Sequence, residues 1–149
     1  ANLERGATHN LAENYLFQGS LDDALLLAER SFAIVRAHEG AAWPDQLLIA
    51  RIHAARDDRA ALAPLIATLA ETAPAATHPV LAVLRLVVED APAERWAQEL
   101  ASAAEVVTLD TRCELSRLAL DRQKLSDDER IVVGRLAETH PIWSRRFSP

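Results

Sequence analysis

The sequence predicts an all-α chain of about eight antiparallel helices in four hairpins, arranged as an α-solenoid or a compact right-handed stack of helix pairs. Three observations carry that expectation. Half of the 149 residues are apolar but only 5% are aromatic, so a core must be built from Ala, Leu and Val, and four glycines leave little material for sheet turns. Residues that start and stop helices recur at the intervals short helices need. The stretch from His9 to Val35 spaces small and large apolar residues so that two antiparallel helices can approach closely.

Taken in order, the first helix runs from about Asn2 to Gln18, with Leu11, Ala12 and Tyr15 on its inward side, and Gly19 and Ser20 stop it. Ser20 caps the second helix, which carries Asp22 and Asp23 in its first turn, where carboxylates favour the positive end. Ala24, Ala28 and Ser31 keep its facing side narrow as far as about His38, and Glu39-Gly40 closes the hairpin. Trp43-Pro44 opens the next, with proline at the first helical position, where a missing N–H is harmless. Within Gln46 to Ala70, Ala50, His53, Asp57 and Leu62 take the places of Ala12, Tyr15, Gly19 and Ala24, each at the same offset along the chain. Pro64 follows the Asp57-Asp58 cap and marks the end of a first turn, a kink or a later start.

After a loop from Ala73 to His78, the segment Pro79 to Glu89 is apolar nearly all round and reads as a buried helix. A strand is the alternative for its valine-rich run, but no second strand exists to pair with it. Arg85 stands alone there, expected to snorkel, to pair with a carboxylate such as Glu89, or to look into a groove. Pro92 opens a helix to about Glu105 with Trp96, Leu100 and Ala103 inward. Asp110 caps a seventh to about Gln123 with Leu115, Leu118 and Ala119 inward. Ser126 and Glu129 form a capping box before an eighth helix through Ile131 and Leu136, which Pro141 ends; Trp143 and Phe147 form a closing turn. The helix pairs thus span about 2–38, 44–72, 79–105 and 110–139 of one domain, with a closing segment at 141–149.

The first hairpin resembles the tetratricopeptide repeat. Leu11-Ala12, Tyr15, Gly19, Ala24 and the small residues Ala28 and Ser31 stand where that repeat has them, and Asn10 before Leu-Ala resembles the kinesin-light-chain type and its bacterial relatives. The resemblance covers about residues 5–37 and is degenerate afterwards. The run Glu13 to Ser20, ENYLFQGS, also stands close to a protease site used in expression tags; however, Tyr15 precedes Leu16 here, and the flanking residues keep the repeat register, so it reads as native sequence.

The resemblance implies a protein-protein interaction module whose first helix in each pair lines a concave face for a peptide or partner helix. His9, Asn10, Glu13 and Phe17 would face or border that surface, joined by Arg51 from the third helix. The corresponding third-helix positions are Leu47, Leu48, Arg51 and Ala55, so Asn10 has no counterpart there, and a row of asparagines reading a peptide backbone, with it classical extended-peptide binding, is not expected. The rival expectation is architectural: a scaffolding or dimerisation part of a larger bacterial signalling or regulatory protein, with homo-oligomers forming through an uncovered solenoid end.

A net charge of −6 argues against a nucleic-acid surface, and no apolar run approaches the length of a membrane span. The basic residues are fifteen Arg and only Lys124, a usage that with abundant Ala suggests a GC-rich bacterial genome. A single cysteine, Cys113, fits a reducing cytoplasm and a buried apolar role. The chain contains no Met and is expected to begin inside a longer polypeptide or after processing. His9 and Glu13 are a legal ligand pair without a third ligand; His53 reads as a core histidine, and His78 and His140 as helix-boundary residues. With no GxSxG, Walker or GxGxxG motif, neither an enzyme nor a cofactor is expected.

Overall fold

The computed structural model describes residues 2–122 together with Asp127, Asp128 and Ile131. The described residues are all-helical: seven α-helices, one 3-10 turn and no strand. The expected eighth helix with its Ser126–Glu129 box, Pro141, and the closing pair Trp143 and Phe147 lie outside the described residues, apart from those three positions. The chain divides into two compact units, Ala1–Ala73 and Pro74–Pro149.

In the first unit α1 (Asn2–Gln18), α2 (Leu21–Ala37), α3 (Trp43–Ala55) and α4 (Arg59–Thr72) pack each on the next, and α1 also touches α3. Ala24 and Ala28 on α2 are fully buried and meet Ala12 and Leu16 of α1 and Leu48, Ile49 and Ile52 of α3 in one core cluster. One part of the expectation for α1 fails: Leu11 is 46% exposed, whereas Leu16 is 3% exposed. Ala12 is fully buried and the half-buried Tyr15 packs against the core cluster, as expected. The inward line of α1 runs through Arg5, His9, Ala12 and Leu16, at helical spacings of four, three and four. Its first two members are polar, which disguised it.

The offset between the two hairpins reappears in the backbone. Gly19 (φ 81°) and Asp57 (φ 58°) are both left-handed and end α1 and α3. Ser20 N–H donates to Tyr15 O and Gly19 N–H to Leu16 O; at the matching places Asp58 N–H donates to His53 O and Asp57 N–H to Ala54 O, all at 2.9–3.1 Å. This is the Schellman pairing of a helix end, occurring twice in register. The caps that follow differ. Asp58 accepts from Ala61 N–H at 3.1 Å and caps α4, while the Ser20 hydroxyl makes no such bond to α2. Pro64 lies inside α4 rather than at its start.

The second unit opens with the 3-10 turn Ala75–Thr77 and continues as α5 (His78–Glu89), α6 (Ala93–Ala104) and α7 (Leu109–Arg122), where α5 packs on α6 and α6 on α7. The valine-rich run is helical, with Val80, Leu81, Val83, Leu84, Leu86 and Val87 buried. Arg85 is on the exposed side of α5, and Glu89 accepts from Arg95 at 2.6 Å. Trp96, Leu100 and Ala103 of α6 and Leu115, Leu118 and Ala119 of α7 are buried as their spacing requires.

Candidate functional site

The polar centre of the first unit is Asp45, in the first turn of α3, whose carboxylate is completely buried. Burial alone would raise its pKa. Hydrogen bonds from Ser31, His9 and Arg5, with the Arg5 charge, outweigh that and hold it below the ordinary carboxylate value. Arg5 donates from Nε at 3.1 Å and from Nη2 at 2.9 Å to Oδ2, while Ser31 Oγ at 2.6 Å and His9 Nδ1 at 2.9 Å reach Oδ1. A carboxylate only accepts, so His9 carries its proton on Nδ1. Arg5 Nη2 also donates to Ala41 O at 3.1 Å. One buried side chain thus fastens α1 and α2 to the start of α3.

A second polar contact joins α1 to α3 farther along. Arg51 Nη1 donates to Glu13 Oε2 at 2.6 Å, and its guanidinium carbon stands 5.8 Å from the centre of the Phe17 ring. The Arg51 side chain is only 7% exposed. It was expected to project into an open concavity; instead it is buried in an ion pair, because the neighbouring helix presents a carboxylate and a ring at its height. Leu48, the counterpart of Asn10 on α3, is fully buried.

Between Arg5, Gly6, His9, Asn10 and Pro44 lies an open depression of about 250 Å³. The five residues singled out in the sequence therefore divide into two groups. His9 and Asn10 border the depression; Glu13, Phe17 and Arg51 meet one another on the α1–α3 seam. Asn10 is exposed, whereas the others are buried or half-buried. Arg5 and Asp45 were missed in the sequence, and Ser31 was read only as a small residue. The available signal was an Arg and a His four apart on α1 and an acid directly after Pro44.

Outside this region, His53 is held below its ordinary pKa by burial, partly offset by Asp58, whose carboxylate oxygen lies 3.7 Å away. The Cys113 thiol is fully buried, and burial, then the Asp110 charge, push its pKa up. Among the described residues no group of three His, Cys, Asp or Glu side chains is placed to hold a metal ion, and no helix is long and apolar enough to cross a membrane. Compared with protein-family models, with curated proteins and with solved structures, the chain matches none of them.

Proposed function

We propose that the chain is a tetratricopeptide-like helical-repeat module that binds a peptide or partner helix, with α1 as the binding helix. The observation that carries this reading is the distribution of residues on α1. The side fixed against α2 and α3 includes Arg5 and His9, while Leu3, 91% exposed, and Leu11 stand with Asn10 and Asn14 on the side its own core does not use. Exposed apolar residues around amides that can both donate and accept suit a backbone or an amphipathic helix. The end of α1, repeated at the end of α3, supports the repeat reading.

Arg51 is unsuited to a binding test, since its burial makes its removal a stability change, and Asn10 is the cleaner probe. A random-peptide display library is selected on the chain, and the selected peptide is measured by calorimetry against the parent and Asn10→Ala. The expected result is at least tenfold weaker binding, about 1.4 kcal/mol, with unchanged melting. Failure to select any peptide, or equal affinity in the variant, returns the chain to the architectural reading, which the same exposed leucines also favour.

A further inference from the structure

We infer that His53 and Asp58 form a proton-operated catch at the start of α4: a proton taken up by the His53 ring draws the Asp58 carboxylate off the Ala61 N–H that it caps, and the first turn of α4 loosens. The catch lies in the second hairpin and needs no partner on α1. His53 stands in the last turn of α3 with its side chain 13% exposed, and its Nδ1 is buried with no hydrogen-bond partner among the described residues. A buried polar atom left unmatched is uncommon in a folded chain and asks for a use. The group placed to match it is Asp58. Its Oδ2 stands 3.7 Å from Nδ1, too far for a hydrogen bond, while its Oδ1 accepts from Ala61 N–H at 3.1 Å. One carboxylate thus lies between two nitrogens and serves only one of them while the ring is neutral.

The turn itself does not require this pair. The first hairpin makes the same helix end with Tyr15 and Ser20 at the two places, a phenol and a hydroxyl instead of an imidazole and a carboxylate. His53 and Asp58 are therefore added to a turn that closes without them. The main chain also decides which of the two moves. Asp58 N–H donates to His53 O and Leu62 N–H to Asp58 O, each at 3.0 Å, which holds both backbones in place. The ring is packed, whereas the Asp58 side chain is 45% exposed, so the carboxylate turns. A charge-assisted hydrogen bond is about 2.8 Å long, so Oδ2 has to close about 0.9 Å, and turning it toward the ring swings Oδ1 away from Ala61.

The charges around the ring set when this happens. Burial disfavours the charged ring and outweighs the pull of Asp58; Arg56 also opposes the charge and Glu29 of α2 favours it, so the proton is taken up below the ordinary value of 6.5. Of the two carboxylates that favour the charge, Asp58 acts the more strongly. Other charged side chains of the surrounding elements are engaged elsewhere: Glu13 of α1 with Arg51 at 2.6 Å, Asp22 of α2 with Arg56 at 3.2 Å, and Arg59 of α4 with Asp57 at 3.2 Å. Leu62, next to Ala61, is fully buried, so loosening this turn loosens the packing of α4 on α3.

The test is a titration of the isotopically labelled full chain, followed by nuclear magnetic resonance from about pH 7 to about pH 5, above the range in which carboxylates ordinarily titrate. The His53 ring and the Ala61 amide are expected to share one midpoint below 6.5, the amide proton moving upfield as it loses its acceptor. Protection of Ala61 from hydrogen exchange should fall at least about threefold over the same range, once the intrinsic pH dependence is removed. Asp58→Asn keeps a good cap but has no charge to follow the proton. Its ring should take up the proton at lower pH than in the parent, and its Ala61 amide should stay where it is. His53→Phe should likewise leave Ala61 unmoved. An Ala61 amide that stays still while the parent ring titrates overturns the catch, as does an amide that moves equally in either variant or a parent ring that remains neutral throughout.

Discussion

At the residue scale, Asp45 decides how the first three helices meet. It is an acid with no exposed surface, held by Arg5, His9 and Ser31 from two other helices. Truncating it leaves a guanidinium and an imidazole facing a gap with their donors unmatched. Asp45→Ala should therefore lower the unfolding free energy by about 3 kcal/mol, measured by urea denaturation with the slope unchanged. A loss under roughly 1 kcal/mol would show that water replaces the carboxylate without penalty. Because the folded pKa of Asp45 lies below its ordinary value, its contribution is present above the unfolded carboxylate pKa and is lost as pH falls through the folded one. His53 acts at higher pH. Its folded pKa is lowered, so the unfolded chain binds the proton first, and stability should decline as pH falls below the ordinary value of 6.5. His53→Phe should flatten the melting temperature between about pH 7 and pH 5 relative to the parent; an unchanged slope would assign the effect elsewhere.

At the scale of elements, helix ends were the most legible feature and the facing of α1 the least. Gly19, Asp57 and the pair Glu39-Gly40 mark ends in the sequence because few residues adopt left-handed backbone or follow it easily, and all three places end helices in the structure. At the end of α2 the left-handed residue is Glu39 (φ 52°), followed by Gly40, whose added Cβ would meet Val35 Cγ2 at 2.7 Å. Glu39→Gly should stabilise the chain by about 0.5–1 kcal/mol through relieved backbone strain, whereas Gly40→Ala should destabilise it, both read from thermal unfolding. Stabilisation by both changes would contradict this assignment of the turn. The inward line of α1 could not be found by apolar periodicity because Arg5 and His9 occupy it, and an acid on a helix two elements away is what makes them inward. The candidate site shared that fate: His9 and Asn10 were found from the repeat pattern, but Arg5 and Asp45 become partners only once three helices are packed. Arg51 was recognised by position and misread in role, since a charge on a helix face gives no sign of the carboxylate facing it.

At the scale of the whole molecule, composition was sufficient for the fold class: Ala-rich, Leu-rich sequence with few glycines gives seven helices and no strand among the described residues. Composition says nothing of function, and the functional reading rests on one helix. α1 is fastened from behind by Asp45 and Arg51, and turns Leu3, Ala7, Asn10, Leu11 and Asn14 outward. A helix held this firmly presents its outward residues in fixed positions, so a partner docking there would not first have to order them. The most direct test follows the amides of the isotopically labelled chain, main-chain and side-chain, by nuclear magnetic resonance while a selected peptide is added. If α1 is the binding helix, the largest shifts fall between Leu3 and Gln18, with the side-chain amides of Asn10 and Asn14 among them. Shifts concentrated in α5 to α7, with α1 unmoved, would contradict it.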